Sequence, residues 1–166
     1  MRPYLCFLLA GCLCGSAGRA AAQTQARVAF PGSIAAVQTA APGTKRAAAI
    51  SRMALRIDER SAGMAFEVAL RMRNFDELQS RLAHGEQIGA AEMDERYYPL
   101  AADHDRLVRW LKAQGLEVTR TDGNHLGVFG RGSVDAVSTA FQVTFARVAT
   151  SDGEFTSAIT APSLPA

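Results

Sequence analysis

Two sets of side chains in this sequence are of types that do chemistry. One is the histidines, His84, His104 and His125; the other is an acidic run, Glu92, Asp94 and Glu95, followed by Asp103 and Asp105. Imidazoles move protons or hold metals, and neighbouring carboxylates serve as general acids and bases. The spacing argues against catalysis. The histidines are scattered, and there is no GxSxG elbow, HExxH pair, Gly-rich phosphate loop or paired-cysteine metal site. His84 falls near a helix end, where a cation suits the dipole. His104 precedes Leu107 and Val108 by three and four residues and reads as a packed or capping histidine. Glu92, Asp94 and Glu95 read first as a solvated turn and only second as a functional cluster. No catalytic residue, cofactor or metal site is expected.

The beginning of the chain differs in texture from the rest. Residues 1–22 read as an export signal: Arg2 supplies the charged start, Tyr4–Cys14 the apolar core, and Ala20-Ala21-Ala22 a small-residue site, with cleavage between Ala22 and Gln23. The apolar run is too short for a transmembrane helix, which needs ~20 such residues. Leu9-Ala10-Gly11-Cys12 resembles a lipobox, so a lipoprotein anchored at Cys12 is the alternative to a soluble secreted or periplasmic chain. Cys6, Cys12 and Cys14 all lie in this segment, and a chain cut after Ala22 has neither a disulfide framework nor a thiolate zinc site. Removing Arg2 and Arg19 from the 18 basic residues leaves 16 against 16 acidic ones. A near-neutral chain argues against nucleic acid as a partner. No membrane partner is expected after signal removal unless Cys12 is lipidated.

Residues 23–63 are rich in Ala, Gly, Thr and Gln and read as a loosely ordered lead-in or linker, with a short helix over 49–60. Order is expected over 64–157. Phe66, Val68, Leu70 and Met72 alternate with polar or small residues as a half-buried strand. Asn74 and Glu77 look like the two halves of a capping box on a helix whose inner stripe is Phe75, Leu78 and Leu82. A short helical turn is expected over 90–96. The 101–114 helix turns Leu107, Val108, Trp110 and Leu111 inward, places Asp103 and Asp105 towards its positive end, and stops at Gly115. A hairpin over 116–130 turns at Asp122-Gly123. Ser133 caps a second helix carrying Val134, Val137, Ala140 and Phe141, and a strand over 143–148 follows. Glu154–Ile159 pairs back as an edge, and residues 158–166 form an extended tail. This order predicts an α+β fold, an antiparallel sheet with helices on one face in the ferredoxin-like (split βαβ) layout. RNA-recognition modules share that layout, but His125-Leu-Gly-Val-Phe129 offers a single aromatic where a stacking platform needs more.

From Phe66 to Ala166 the sequence resembles the activation (pro-) domain of the sedolisin, or kumamolisin, family of serine-carboxyl peptidases. The residues that carry the resemblance are FEVALRMRNFDELQSRL at 66–82, YYPLAADHDRLVRWLKAQGLEV at 97–118, HLGVFGRGSVDAVSTAFQVTFARV at 125–148 and the closing APSLPA at 161–166. The resemblance implies a propeptide of a secreted endopeptidase precursor, a folding template and inhibitor released by acid. Its partner would be a sedolisin-type catalytic domain, in cis or in trans, with the 158–166 tail running towards it. The family's enzyme has a glutamate with an aspartate four residues on and a Gly-Thr-Ser nucleophile; neither occurs here, so no peptidase activity is expected of this chain. Acid release implies carboxylates that lose their partners on protonation, and Glu92, Asp94, Glu95, Asp103 and Asp105 are the candidates. A stand-alone protease inhibitor and a small-ligand-sensing domain are the alternatives.

Overall fold

The computed structural model describes residues 26–34, 51–150 and 153–166. The signal-cleavage residues Ala22 and Gln23 and the lipobox Cys12 lie outside them. In chain order the elements are β1 (Arg27–Ala29), β2 (Ser51–Met53), α1 (Ile57–Ser61), β3 (Gly63–Ala69), α2 (Phe75–Ala83) and α3 (Ala90–Glu92), which runs on into a π-helical turn, Met93–Tyr97. Then come α4 (Ala101–Ala113), β4 (Glu117–Thr121), β5 (Gly127–Ser133), α5 (Val134–Phe141), β6 (Phe145–Thr150), β7 (Gly153–Ala158) and β8 (Ser163–Pro165).

The fold is α+β and antiparallel, and β3–helices–β4–β5–α5–β6 is the ferredoxin-like order. Its first three strands form one sheet, β3-β5-β4, with β5 central. The expectation of a single sheet is corrected at the fourth strand. Both edges of β6 are taken, by β2 and by β7, so it belongs to a second sheet, β2-β6-β7. The alternation of apolar residues shows which strands are half-buried but not which neighbour takes each edge.

The core forms where α4 and α5 meet the inner face of β3-β5-β4. Leu111, Leu116, Val128, Val137, Ala140, Phe141 and Val143 are buried together, with Trp110, Phe66 and Val68 packed against them. Phe141 is its aromatic centre, edge-on to Phe66 with centroids 5.1 Å apart and to Trp110 at 5.8 Å. Glycine in β5 lets these side chains reach the backbone. A Cβ on Gly130 would stand 2.6 Å from Phe66 Cζ, and one on Gly132 would stand 2.6 Å from Leu116 Cδ2. Ser133 caps α5 as expected, accepting from Ala136 N at 3.1 Å. Gly115 ends α4 at φ +77°.

Several local expectations change. Of the helix read over 49–60, the described residues form β2 and then α1, which is held to α5 by Arg60–Asp135 at 3.0 Å and Val134 N to Ala62 O at 3.0 Å. Asn74 stands before α2 in the left-handed region at φ +46° and makes no side-chain cap bond, so no capping box forms there. Of the stripe read on α2 only Leu78 is buried; Phe75 and Leu82 are 42% and 53% exposed. The β4–β5 connection closes between Asp122 N and Gly127 O, and the residue taking positive φ is His125, not Gly123. No helix among the described residues is long and apolar enough to cross a membrane.

Candidate functional site

Three regions gather polar chemistry. The first is the junction of α2 with the turn after α3. Tyr97 is fully buried, and its phenol needs partners there. Arg81 donates to the phenol oxygen at 2.7 Å, and the phenol donates to Glu77 Oε1 at 3.1 Å. Arg81 also donates to Glu86 at 2.7 Å and pairs with Glu92, while Arg96 reaches Glu77 at 2.6 Å and Glu92 at 3.4 Å. Arg73 fastens the turn from below, donating to the carbonyls of Asp94, Glu95 and Tyr98 at 2.9, 2.7 and 2.5 Å. Hydrogen bonds from Arg81 hold the Glu92 carboxyl below its usual range against a desolvation that opposes them, and the charges of Arg81 and Arg96 add to this. The same bonds to Glu92, then Glu86 and Tyr97, raise the Arg81 guanidinium further above its already high value.

The five candidate carboxylates therefore do not share one environment. Glu92 is inside the arginine network. Asp94 and Glu95 are exposed, and the bonds at these residues run to their backbone carbonyls. Asp103 pairs with Arg106 one turn along α4 at 3.2 Å, and Asp105 lies 3.5 Å from His104 Nδ1. His104 is buried as expected, with its ring centroid 5.1 Å from that of His125. His84 follows α2, its Nδ1 2.7 Å from Ser80 O. Among the described residues, no three His, Cys, Asp or Glu side chains are grouped to hold a metal ion.

The second region is the outer face of β3-β5-β4. Register places Glu67, Phe129 and Arg120 in one row across the three strands, and Ala65, Arg131 and Glu117 in the next. The Arg120 guanidinium carbon lies 3.7 Å from the Phe129 ring centroid, and Arg131 Nε bonds Glu117 at 2.8 Å. Phe129 is half-buried, while Glu67, Arg120, Arg131 and Glu117 are exposed. This is a mixed-charge surface with Phe129 on its central strand.

The third region is the end of the chain. β8 does not stand free but pairs with β1, Arg27 opposite Pro165 and Ala29 opposite Ser163.

A family model, Pro-kumamolisin, activation domain, matches residues 56–166. The chain belongs to that family. No curated protein matches it. The match begins inside the stretch read as a lead-in and takes in the end of the chain, so α1 and β8 both belong to the activation domain. An activation domain is the propeptide part of a peptidase precursor and associates with a peptidase catalytic domain, and the resemblance seen in the sequence is thereby borne out. The Arg81–Tyr97 network and the β1–β8 pairing were not visible beforehand. Their partners are far apart in sequence or lie in segments without periodicity, and no local signal marks them.

Proposed function

We propose that this chain is the propeptide of a secreted serine-carboxyl endopeptidase precursor, acting as template and inhibitor for the catalytic domain until acid releases it. The observation that carries this reading is the activation-domain match, which runs through every element from α1 to β8. The proposed docking surface is the outer face of β3-β5-β4, around Phe129 and its Arg120 neighbour. Residues 1–22 would direct export to the periplasm or the outside. The activation domain would take in 56–166, with the residues before 56 ahead of it and its last stretch, 158–166, leading towards the peptidase.

The acid response in this proposal begins inside the domain. Glu92 has a lowered folded pKa, so its pairing stabilises the fold above the ordinary carboxylate range. That contribution is lost as the pH falls through the lowered folded value. Protonation of Glu92 would loosen the turn after α3 from α2, and Asp94, Glu95, Asp103 and Asp105 would take part through the interface with the peptidase.

The test is inhibition of a sedolisin-type peptidase by the purified chain at neutral and acidic pH. Inhibition that weakens on acidification supports the reading; its absence from a folded chain removes it. If Glu92, Asp94, Glu95, Asp103 and Asp105 are all neutralised to amides and the pH dependence is unchanged, the carboxylate mechanism is removed.

A further inference from the structure

We infer that β1, with the residue on either side of it (26–30), is a strap that holds the C-terminal tail against α5 and must open before the tail can enter a peptidase cleft. The second half of this inference rests on the propeptide reading; the strap itself does not.

The backbone pairing extends past the short strands at both ends. Phe30 N donates to Pro162 O at 2.9 Å, and Ala166 N donates to Ala26 O at 2.9 Å. The side chain of Arg27 makes the strap specific. Its Nε donates to Ser163 Oγ at 2.9 Å, and one Nη donates to Ser163 O at 2.6 Å and to Ala140 O at 2.8 Å. Ser163 Oγ in turn donates to Phe141 O at 3.3 Å. Ala140 and Phe141 close α5, so their carbonyls lie among those with no partner inside the helix, at its negative end. A guanidinium there satisfies orphan acceptors and the dipole together. The tail is thus tied to α5 through a residue 136 positions earlier in the chain.

The consequence follows from how peptidases bind. An extended substrate is held by main-chain hydrogen bonds, as an added strand is. Between Pro162 and Ala166 one edge of the tail is already committed to β1. The tail is therefore not free to pair on both sides until residues 26–30 leave. Loss of the residues before Pro31, or of the Arg27 fork, would set the rate at which it becomes available.

Hydrogen exchange of the full chain at neutral pH, read by mass spectrometry, measures the strap without any peptidase. Arg27→Ala is expected to speed exchange over 160–166 by about tenfold or more, with β3 and β5 unchanged. Arg27→Lys, which keeps the charge but not the fork, should recover only part of the protection. A chain lacking residues 1–30 should behave like Arg27→Ala or faster. Unchanged exchange over 160–166 in both Arg27→Ala and the 1–30 deletion overturns the strap. So does a rise in the Arg27 variants that is equal in the tail and in β5, since it would mean that Arg27 acts only on global stability. Neither result bears on whether the chain inhibits a peptidase, so the two readings fail separately.

Discussion

Arg81 and Tyr97, sixteen positions apart, meet where α2 crosses the turn after α3, the guanidinium donating across 2.7 Å to a phenol with no exposed surface. This contact helps to join α2 to the domain, because α2 buries only Leu78. Tyr97→Phe keeps the ring and removes the phenol from Arg81 and Glu77. It should cost about 1–2 kcal/mol, read as a lower urea midpoint at neutral pH. Tyr97→Ala also leaves a cavity and should cost about 3–5 kcal/mol. Equal, small effects of both would mean that the site collapses readily and that the network is not what fixes α2.

The direction of the Glu92 shift gives a pH prediction. Its folded pKa is lowered, chiefly by hydrogen bonds from Arg81, so its stabilising effect is present at neutral pH and disappears on acidification through that value. Glu92→Gln should lower the Tm at pH 7 and converge with the unaltered chain at strongly acidic pH. Asp94→Asn and Glu95→Gln, at exposed positions outside the arginine network, are the comparison variants, and neither should reproduce the loss of Tm seen at pH 7 in Glu92→Gln. Thermal melts across the acid range decide it. A Glu92→Gln curve parallel to that of the unaltered chain at every pH would contradict the assignment.

Two glycines of β5 should respond differently to the same change. A Cβ at Gly130 meets Phe66 Cζ at 2.6 Å and also the Glu117 carbonyl at 2.8 Å, and main chain cannot step aside cheaply. At Gly132 the close contact is Leu116 Cδ2, the end of a side chain. Gly130→Ala should cost about 1–3 kcal/mol and Gly132→Ala less, in denaturant unfolding. The reverse order would place the tight packing elsewhere.

Caps give a further contrast. Ser133→Ala removes a bond that is made, from Ala136 N, and should cost about 1 kcal/mol. Asn74→Gly removes no cap bond and relieves a left-handed non-glycine residue, losing only the contact from Nδ2 to Arg96 O at 3.1 Å. It should be close to neutral by the same unfolding measurement. A loss at Asn74 matching that at Ser133 would show that the bond to Arg96 matters as much as a cap.

These residues also mark what the sequence discloses. Leu107, Leu111 and Trp110 repeat at helical spacing, Ser133 precedes an apolar helix face, and Gly115 follows one, so α4, α5 and the central hairpin are legible by local physics. Asn74 carried the same kind of signal and misled, because Glu77 is claimed by Arg96 and Tyr97 rather than by the helix start. The second sheet was legible only in part: Glu154–Ile159 reads as an edge that pairs back, as β7 does on β6, but Ser51–Met53 is too short to show a period, and its pairing with β6 reaches across nearly one hundred positions. Arg27 gave no sign at all, since its partners lie on α5 and β8. The acidic cluster was legible as a cluster, but only the fold separates Glu92, which has cations, from Asp94 and Glu95, which face water.

The most direct test of the propeptide assignment is the inhibition constant of the intact chain against a sedolisin-type peptidase, measured at neutral and at acidic pH. The account predicts tight inhibition at neutral pH that weakens by about tenfold or more on acidification, a change of about 1.4 kcal/mol per decade. A chain that is folded by circular dichroism yet inhibits at neither pH would contradict it.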